Sequence, residues 1–264
     1  SVIITASDTG GSELDPTNSY QYQLSTSNTT APTGTWTTYT SGTAVTIGTG
    51  LNGTYYLWIK EIKDNAGNTS TQSGTKVSTY HVFGGYVFDN SAPEVAFGTN
   101  GNTTYAKTQS TTVTVTDVGT SGVNASTLKY QWTQSTTAPT EASFSSTFTS
   151  GGTITKADGT GANWYLWILA KDNSGNTIIT KSNVFYIDNT PPTVTAPTLS
   201  ATSNTITATF TQADSLSGIN TSTKKYAIKK TSDVEWGDWV TDTAATHTFT
   251  NLIKNTEYQV KTQI

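Results

Sequence analysis

Residues 164–176 read Trp-Tyr-Leu-Trp-Ile-Leu-Ala-Lys-Asp-Asn-Ser-Gly-Asn, an apolar run that leads into a polar loop. Residues 55–68 carry nearly the same phrase, Tyr-Tyr-Leu-Trp-Ile-Lys-Glu-Ile-Lys-Asp-Asn-Ala-Gly-Asn. Each copy is followed by an Asp-Asn pair and a proline, at residues 89–93 and 188–191. A phrase that recurs along a chain indicates repeated domains, so the two copies define the architecture.

Apolar residues occupy every second position back from Asp172 in the later copy. Side chains at alternate positions share one face of a strand, so the phrase predicts a core strand that ends in a hairpin loop. The earlier copy has one additional residue before Asp64, which predicts a β-bulge near residues 60–61. With that bulge, the inward-facing residues of the earlier copy are Tyr55, Leu57, Ile59 and Ile62.

The same alternation turns four aromatic side chains to the opposite face of these strands. They are Tyr56, Trp58, Tyr165 and Trp167. If this face is exposed, the rings are candidates for stacking on sugar rings or on another protein. The alternative is that they pack under a neighbouring strand or loop, or form cross-strand pairs.

The composition excludes several classes of function. The chain of 264 residues has 14 Lys, no Arg, no Cys and a net charge of −4. Without a basic run it is a poor ligand for nucleic acids or anionic membranes, and without Cys it has no disulfide or thiolate zinc site. No apolar run approaches the roughly 18 residues that a membrane-spanning helix needs. The alternating Thr-rich tracts predict strands with one solvated face.

Three early strands, each ending at an Asp that a Gly soon follows, mark three domains. The three Asp residues are Asp8, Asp117 and Asp214. Together with the proline-containing exits, which predict short, stiff linkers, they predict domains at 1–92, 93–192 and 193–264. The first domain lacks its first strand and the third lacks its last strand. We expect a piece of a longer repeat array; the alternative is that neighbouring chains supply the missing strands.

The Tyr-Leu-Trp-Ile and Lys-Asp-x-x-Gly-Asn phrases, with the Asp-Asn-x-x-Pro exit, resemble bacterial Ig-like repeats of cell-surface proteins over residues 1–192. Residues 193–264 resemble fibronectin type III, with Tyr258 as the tyrosine-corner residue and with Tyr55 and Trp164 aligned to it. The resemblance implies an all-β chain of tandem Ig-like and fibronectin type III-like β-sandwiches outside the cell. The pattern is also similar in part to cadherin repeats, although the acidic triplet of their middle region has no counterpart here.

Calcium is the metal that the repeated acidic residues suggest, because it prefers 6–8 oxygen ligands. In a tandem array, the exit of one domain meets the early turn and the late hairpin loop of the next. This predicts one site at the first junction from Asp89, Asn90, Asp117 and Asp172, and a second from Asp188, Asn189 and Asp214. The alternative is that these residues only stabilise hairpin turns by bonding to their own backbone.

A non-catalytic structural role is the function that these observations favour. The only histidines are His81 and His247, in different predicted domains, and no catalytic motif surrounds them. We expect a stalk, spacer or filament building block of a secreted or surface-anchored bacterial protein, with neighbouring repeats as partners. One alternative is an adhesion or glycan-binding module that uses the aromatic residues. Another is a set of accessory domains of a larger carbohydrate-active enzyme.

Overall fold

The structure is a computed structural model that describes residues 1–71, 74–157 and 161–264, and it is all-β, as predicted. The only helices in these residues are short 3₁₀ turns at Ala125–Thr127, Glu141–Ser143 and Thr221–Thr223. No helix in the described part of the chain is long and apolar enough to cross a membrane. The strands pair within three consecutive groups, which we call the first, second and third units.

The first unit is built from β1 (Val2–Ile3), β2 (Gln21–Ser25), β3 (Thr37–Thr38), β4 (Ala44–Val45), β5 (Gly53–Lys60), β6 (Thr75–Val77) and β7 (Tyr80–Phe88). One sheet has the strand order β3-β2-β5-β7-β6, and the other consists of β1 and β4. Buried Ile4, Tyr39 and Leu57 form the core between them. The two-stranded sheet therefore packs against the five-stranded sheet.

The second unit is built from β8 (Glu94–Phe97), β9 (Gln109–Thr116), β10 (Lys129–Thr133), β11 (Ser146–Thr147), β12 (Gly152–Lys156), β13 (Ala162–Lys171), β14 (Thr177–Lys181) and β15 (Phe185–Ile187). One sheet has the order β11-β10-β13-β14, with β15 also on β13, and the other has the order β12-β9-β8. The core between them contains Val113, Val115, Leu128, Ile154, Leu166, Ile168 and Ala170.

The third unit is built from β16 (Thr193–Val194), β17 (Thr198–Ala201), β18 (Ile206–Thr209), β19 (Gln212–Ala213), β20 (Lys225–Lys230), β21 (Val240–Thr241), β22 (Thr246–Phe249) and β23 (Tyr258–Gln263). Its sheets have the orders β17-β18-β22 and β21-β20-β23, with β16 paired to β19. Ala208, Phe210, Tyr226 and Phe249 form the core. The chain is thus a tandem array of Ig-like and fibronectin type III-like β-sandwiches.

The centre of the predicted inward face of the repeated strand is buried in both copies, while Tyr55, Ile59, Ile62 and Trp164 of that face are partly buried. Leu57 is 3% exposed, and Leu166 and Ile168 are fully buried. The additional residue of the first copy does not produce the predicted bulge at residues 60–61, because β5 ends at Lys60 and the chain continues as a loop. A separate register shift lies in β7, where Gly85 has no partner in β5 because Tyr55 pairs with Tyr86 and Tyr56 with Gly84; the φ of 67° at Gly85 is a conformation that glycine adopts freely.

The tyrosine corner forms in the third unit. The Tyr258 hydroxyl accepts a hydrogen bond from the backbone N–H of Ile253 at 3.0 Å. The aligned Trp164 has no hydroxyl, and the hydroxyl of Tyr55 makes no hydrogen bond within the described residues, although its ring packs on Phe88 at 6.1 Å. The corner hydrogen bond is therefore a feature of the third unit and not of the repeated phrase.

The Tyr258→Phe substitution removes this hydrogen bond and leaves the ring in place. We expect the free energy of unfolding to fall by about 1 kcal/mol, the typical net value of one hydrogen bond. Urea titration followed by circular dichroism measures it. Tyr55→Phe is the matched control, and an equal loss in the two variants would contradict the assigned role of the Tyr258 hydroxyl.

Candidate functional site

The first junction is held by the carboxylate of Asp89, which follows β7. Its Oδ2 accepts hydrogen bonds from the backbone N–H groups of Thr120 at 3.0 Å and Ser121 at 2.8 Å, in the loop after β9. In return, Asn176 of the second unit donates from its side chain to the main-chain oxygen of Asp89 at 3.0 Å. The exit of the first unit is therefore bonded to two separate loops of the second.

The close approach of Asp89 to this loop explains why residue 119 is a glycine. A Cβ atom placed on Gly119 would lie 2.0 Å from Oδ1 of Asp89, far inside van der Waals contact. Gly119 does not have a left-handed φ, so the constraint comes from the incoming carboxylate and not from the backbone. The loop is thus shaped to receive the neighbouring unit.

Three carboxylates meet at this junction. Asp117 follows β9 and Asp172 follows β13. One carboxylate oxygen from each of Asp89, Asp117 and Asp172 lies within 4.8 Å of the other two. Asp172 is 1% exposed. These are three of the four residues that the sequence predicted to converge here.

The three carboxylates are stabilised by N–H donors and not by cations. Asp117 accepts from the backbone N–H groups of Gly119 at 3.1 Å and Gly122 at 2.6 Å. Asp172 accepts from the backbone and side-chain nitrogens of Asn176 at 2.8 and 2.7 Å. Among the ion pairs of the described residues, none includes these carboxylates.

The hydroxyl of Ser121 contributes to the same site. It lies beside the carboxylate of Asp89, and together with nearby backbone N–H groups it lowers the pKa of that carboxylate below its usual value. The Ser121 oxygen is itself buried and has no hydrogen bond of full geometry in the described residues. The site therefore combines three carboxylates with a buried hydroxyl oxygen.

Asn90 does not join this cluster, which corrects one of the predicted ligands. Its side-chain nitrogen donates to the carbonyl oxygens of Gly48 at 3.1 Å and Leu51 at 2.6 Å. Its backbone N–H donates to Oδ1 of Asn52 at 2.7 Å. The side chain is turned back to the first unit because that turn offers it two carbonyl acceptors.

The second junction repeats the carboxylate contact with fewer acidic residues. Asp188 accepts from the backbone N–H of Ser217 at 2.9 Å, and the Ser217 side chain is the main cause that lowers its pKa. Asp214 accepts from the backbone N–H groups of Leu216 at 3.0 Å and Gly218 at 2.9 Å. The described residues bring no third carboxylate to this junction, and Asn189 stays a predicted ligand without a described hydrogen bond.

The two tryptophans of the repeated strand are buried, so Trp58 and Trp167 are not exposed rings for ligand binding. Trp58 is fully buried and Trp167 is 5% exposed. Their indole nitrogens donate to the carbonyl oxygens of Ser27 at 2.8 Å and Ser135 at 3.2 Å. The loops that follow β2 and β10 cover this face, as the alternative interpretation of a covering loop anticipated.

The two tyrosines of that face are partly buried. Tyr56 contributes to the wall of a shallow depression beside β6 and β7, and the ring of Tyr165 lies 4.5 Å from the ammonium of Lys181. A role of Tyr56 or Tyr165 in ligand binding stays a prediction. A more exposed pair, which the repeat did not indicate, is Trp236 and Trp239, with the ammonium of Lys261 about 4.4–4.5 Å from both rings.

Comparison with known proteins gives a likeness of fold. No protein-family model matches the chain, and no curated protein matches it. Among solved structures, it is similar to domains A168-A170 from titin, with 12% identity, a TM-score of 0.33, and coverage of 82% of this chain and 70% of that chain. It is also similar to the FN1-FN3 domains of chicken CNTN1, with 13% identity, a TM-score of 0.28, and coverage of 79% and 69%.

Burial of Trp58 can be tested by substitution. We expect Trp58→Ala to lower the free energy of unfolding by about 3–5 kcal/mol, as for other large buried side chains. Trp239→Ala is the matched control, because Trp239 is 40% exposed, and its cost should stay below about 1 kcal/mol. Urea unfolding followed by circular dichroism compares them, and a cost for Trp58→Ala no larger than the control would contradict the assignment.

Proposed function

We propose that this chain is a non-catalytic structural repeat region, a stalk or spacer that holds another part of a protein away from a bacterial cell. Its partners are neighbouring repeats. The proposal places it outside the cell, in a secreted or surface-anchored protein. The absence of Cys, the net charge of −4 and the Thr-rich solvated strand faces are compatible with that setting.

The observation that carries this proposal is the bonding of Asp89 to the second unit. A spacer transmits position only if its junctions resist bending. Here a short linker ends at Pro93, which is fully buried, and the carboxylate of Asp89 bonds two N–H groups of the next unit. Hydrogen bonds to a charged acceptor are stronger and more directional than neutral ones. The repetition of this contact at Asp188 and Ser217 supports a general coupling between units.

Gly119→Ala tests this coupling. The new methyl group would displace the Asp89 carboxylate, which is the end of a flexible side chain, so we expect a looser junction without unfolding of either unit. Single-molecule energy transfer between dyes on the first and second units should show a broader distance distribution than in the parent chain. The fold itself should be unchanged by circular dichroism.

Gly11→Ala is the matched control for this experiment. Gly11 lies in the corresponding loop of the first unit, and a Cβ there meets nothing within 4 Å. The distance distribution of this control should match that of the parent chain. If the distance distribution of Gly119→Ala is as narrow as that of the parent chain, the Asp89 contact is not what makes the junction stiff.

A second candidate function is cation-dependent stiffening of the first junction. The observation that favours it is the meeting of Asp89, Asp117 and Asp172 without a cationic side chain, beside the buried hydroxyl oxygen of Ser121. A carboxylate offers about four lone-pair sites, so the oxygens that accept N–H groups keep capacity for a metal ion. We propose calcium because the donors are oxygen atoms, and waters would complete its 6–8 ligands.

Calcium binding predicts a rise in melting temperature. A ligand that binds only the folded state stabilises it by about 2.7 kcal/mol at a concentration 100 times its Kd. We expect the melting temperature in calcium to exceed that in chelator, and Asp117→Asn to abolish most of the difference. Asp238→Asn, at an exposed acid away from the junction, should retain it. The same melting temperature in calcium and chelator would rule out a stabilising ion.

A further inference from the structure

We propose that the first unit has an acceptor edge, residues 3–12, that binds an extended segment of the type Asp-Asn-x-x-Pro-x-apolar-x-apolar. The bound segment would add a strand to β1 and place its Asp carboxylate on the loop at residues 8–12. Residues 89–97 of this chain, Asp-Asn-Ser-Ala-Pro-Glu-Val-Ala-Phe, are an example of such a segment. This inference rests on the proposed function, because it extends the contact between units, seen at Asp89 and at Asp188, to the early loop of the first unit.

The small sheets of the first and second units match residue for residue. In the first unit, Val2 pairs with Val45 and Ile3 with Ala44. The second unit has the same pairs 109 positions later, Thr111 with Ile154 and Thr112 with Thr153. The ladder of the second unit is longer, with five residue pairs against two, and β9 also pairs with β8 on its other side, whereas no described residue pairs with the other side of β1.

Unpaired backbone groups line that free side. The carbonyl of Ile4 accepts from the N–H of Gly42 at 2.9 Å, and the N–H of Ala6 donates to Ser41 at 2.8 Å, both towards the β4 side. Successive residues of a strand alternate between its two edges. The backbone groups of Thr5 and Ser7 therefore point to the free edge, and they have no partner in the described residues. An exposed edge of this kind is a template for strand addition.

A pocket of mixed polar and apolar lining lies beside this edge, with Lys60, Ser70 and His81 among its walls. It has a volume of about 160 Å³, and its lining includes Ile4, Ala6, Leu57, Ile59 and Phe83. In the second unit, Phe97 is opposite Val113 and Val95 is opposite Val115, and both pack on the core. Ile4 and Ala6 are the equivalents of Val113 and Val115, so the two apolar side chains of an added strand would enter this cavity.

One polar atom in the cavity wall has no partner. His81 is 3% exposed, its Nε2 is 2.9 Å from the Ser70 hydroxyl, and its Nδ1 makes no hydrogen bond in the described residues. A buried polar group without a partner costs free energy. The wall of this pocket is therefore partly polar.

The first unit also has the pair of backbone N–H groups that would bind the incoming carboxylate, which we call the seat. Asp89 binds the N–H groups of Thr120 and Ser121 in the second unit, and their equivalents are the N–H groups of Gly11 and Ser12. Neither donates a hydrogen bond in the described residues. Gly10 occupies the position equivalent to Gly119, although the carboxylate beside it is that of Asp8, whose Oδ1 would lie 3.2 Å from a Cβ atom on Gly10.

The late hairpin loops beside the two seats have the same hydrogen bonds, whereas the early turns differ: Oδ2 of Asp8 accepts from the Ser12 hydroxyl at 3.2 Å, and Oδ2 of Asp117 accepts from the Gly122 N–H at 2.6 Å. Asn65 donates to the Ser12 carbonyl at 2.8 Å, as Asn173 does to that of Ser121. Asp64 accepts from the backbone and side chain of Asn68, both at 2.7 Å, as Asp172 does from Asn176. The side chain of Asn68 is thus held in the position from which its equivalent, Asn176, contacts the linker.

The test is to place a second copy of residues 88–109 directly before Ser1 of the full chain. Ser1 is the equivalent of Ser110, so this prefix reproduces the connection between β8 and β9. We expect the exchange rates of the amide hydrogens of Thr5, Ser7, Gly11 and Ser12, measured by NMR, to fall by about tenfold or more, because these groups gain hydrogen bonds. Unchanged exchange at Thr5 and Ser7 would overturn the proposal.

Two altered prefixes separate the parts of the proposal. With Val95→Asp and Phe97→Asp in the prefix copy alone, the protection of Thr5 and Ser7 should be lost, because charged side chains cannot enter the cavity. With Asp89→Ala in the prefix copy alone, Gly11 and Ser12 should lose protection while Thr5 and Ser7 retain most of it. Equal protection by all three prefixes would show non-specific binding and would overturn the inference.

This outcome is independent of the test of the proposed function. The energy-transfer measurement with Gly119→Ala reports on the junction between the first and second units, whereas amide exchange at residues 5–12 reports on the acceptor edge. A stiff first junction with an unprotected acceptor edge would contradict the inference alone. A flexible junction in the parent chain would contradict the proposed function, whatever the exchange at the edge.

Discussion

The central strand of each sandwich has to bury both of its faces, and the other elements of the unit are arranged around this constraint. In β13, Leu166 and Ile168 point into the core between the sheets, while Trp167 and Leu169 are buried on the opposite face. The second face is covered by a loop that the indole N–H fixes in place through the carbonyl of Ser135. A buried indole needs such an acceptor, so the tryptophan both fills the space and positions the loop.

The need to satisfy backbone N–H groups also determines the junction. The loop after β9 has N–H groups that its own unit does not satisfy, and the preceding unit supplies the acceptor from Asp89. A carboxylate that accepts two N–H groups fixes both distance and direction. Because Pro93 is buried immediately beyond it, the linker has little freedom left. These hydrogen bonds and the buried proline therefore constrain the relation between the first two units.

Much of the fold was predictable because strand alternation reports directly on burial. It identified the core faces of β5 and β13, and the repeated Asp positions identified which three carboxylates would meet. The coverage of Trp58 and Trp167 was not predictable, since it depends on loops without any periodic pattern. The orientation of Asn90 was not predictable either, because the carbonyls of Gly48 and Leu51 that capture it are about forty positions away in the chain. The count of residues before Asp64 revealed an additional residue, but not that β5 would end at Lys60.

The loops at residues 64–68 and 172–176 show what a neighbouring unit adds. Their internal hydrogen bonds are the same, yet Asp172 is 1% exposed whereas Asp64 is only partly buried. The sequences of the two loops are nearly identical, so the difference arises from the linker that covers one loop and not the other. The cluster of three carboxylates is accordingly a property of the junction, because two come from one unit and the third from the unit before it. Any ion held there would bind strongly only when the units are stacked, which couples its binding to the order of the array.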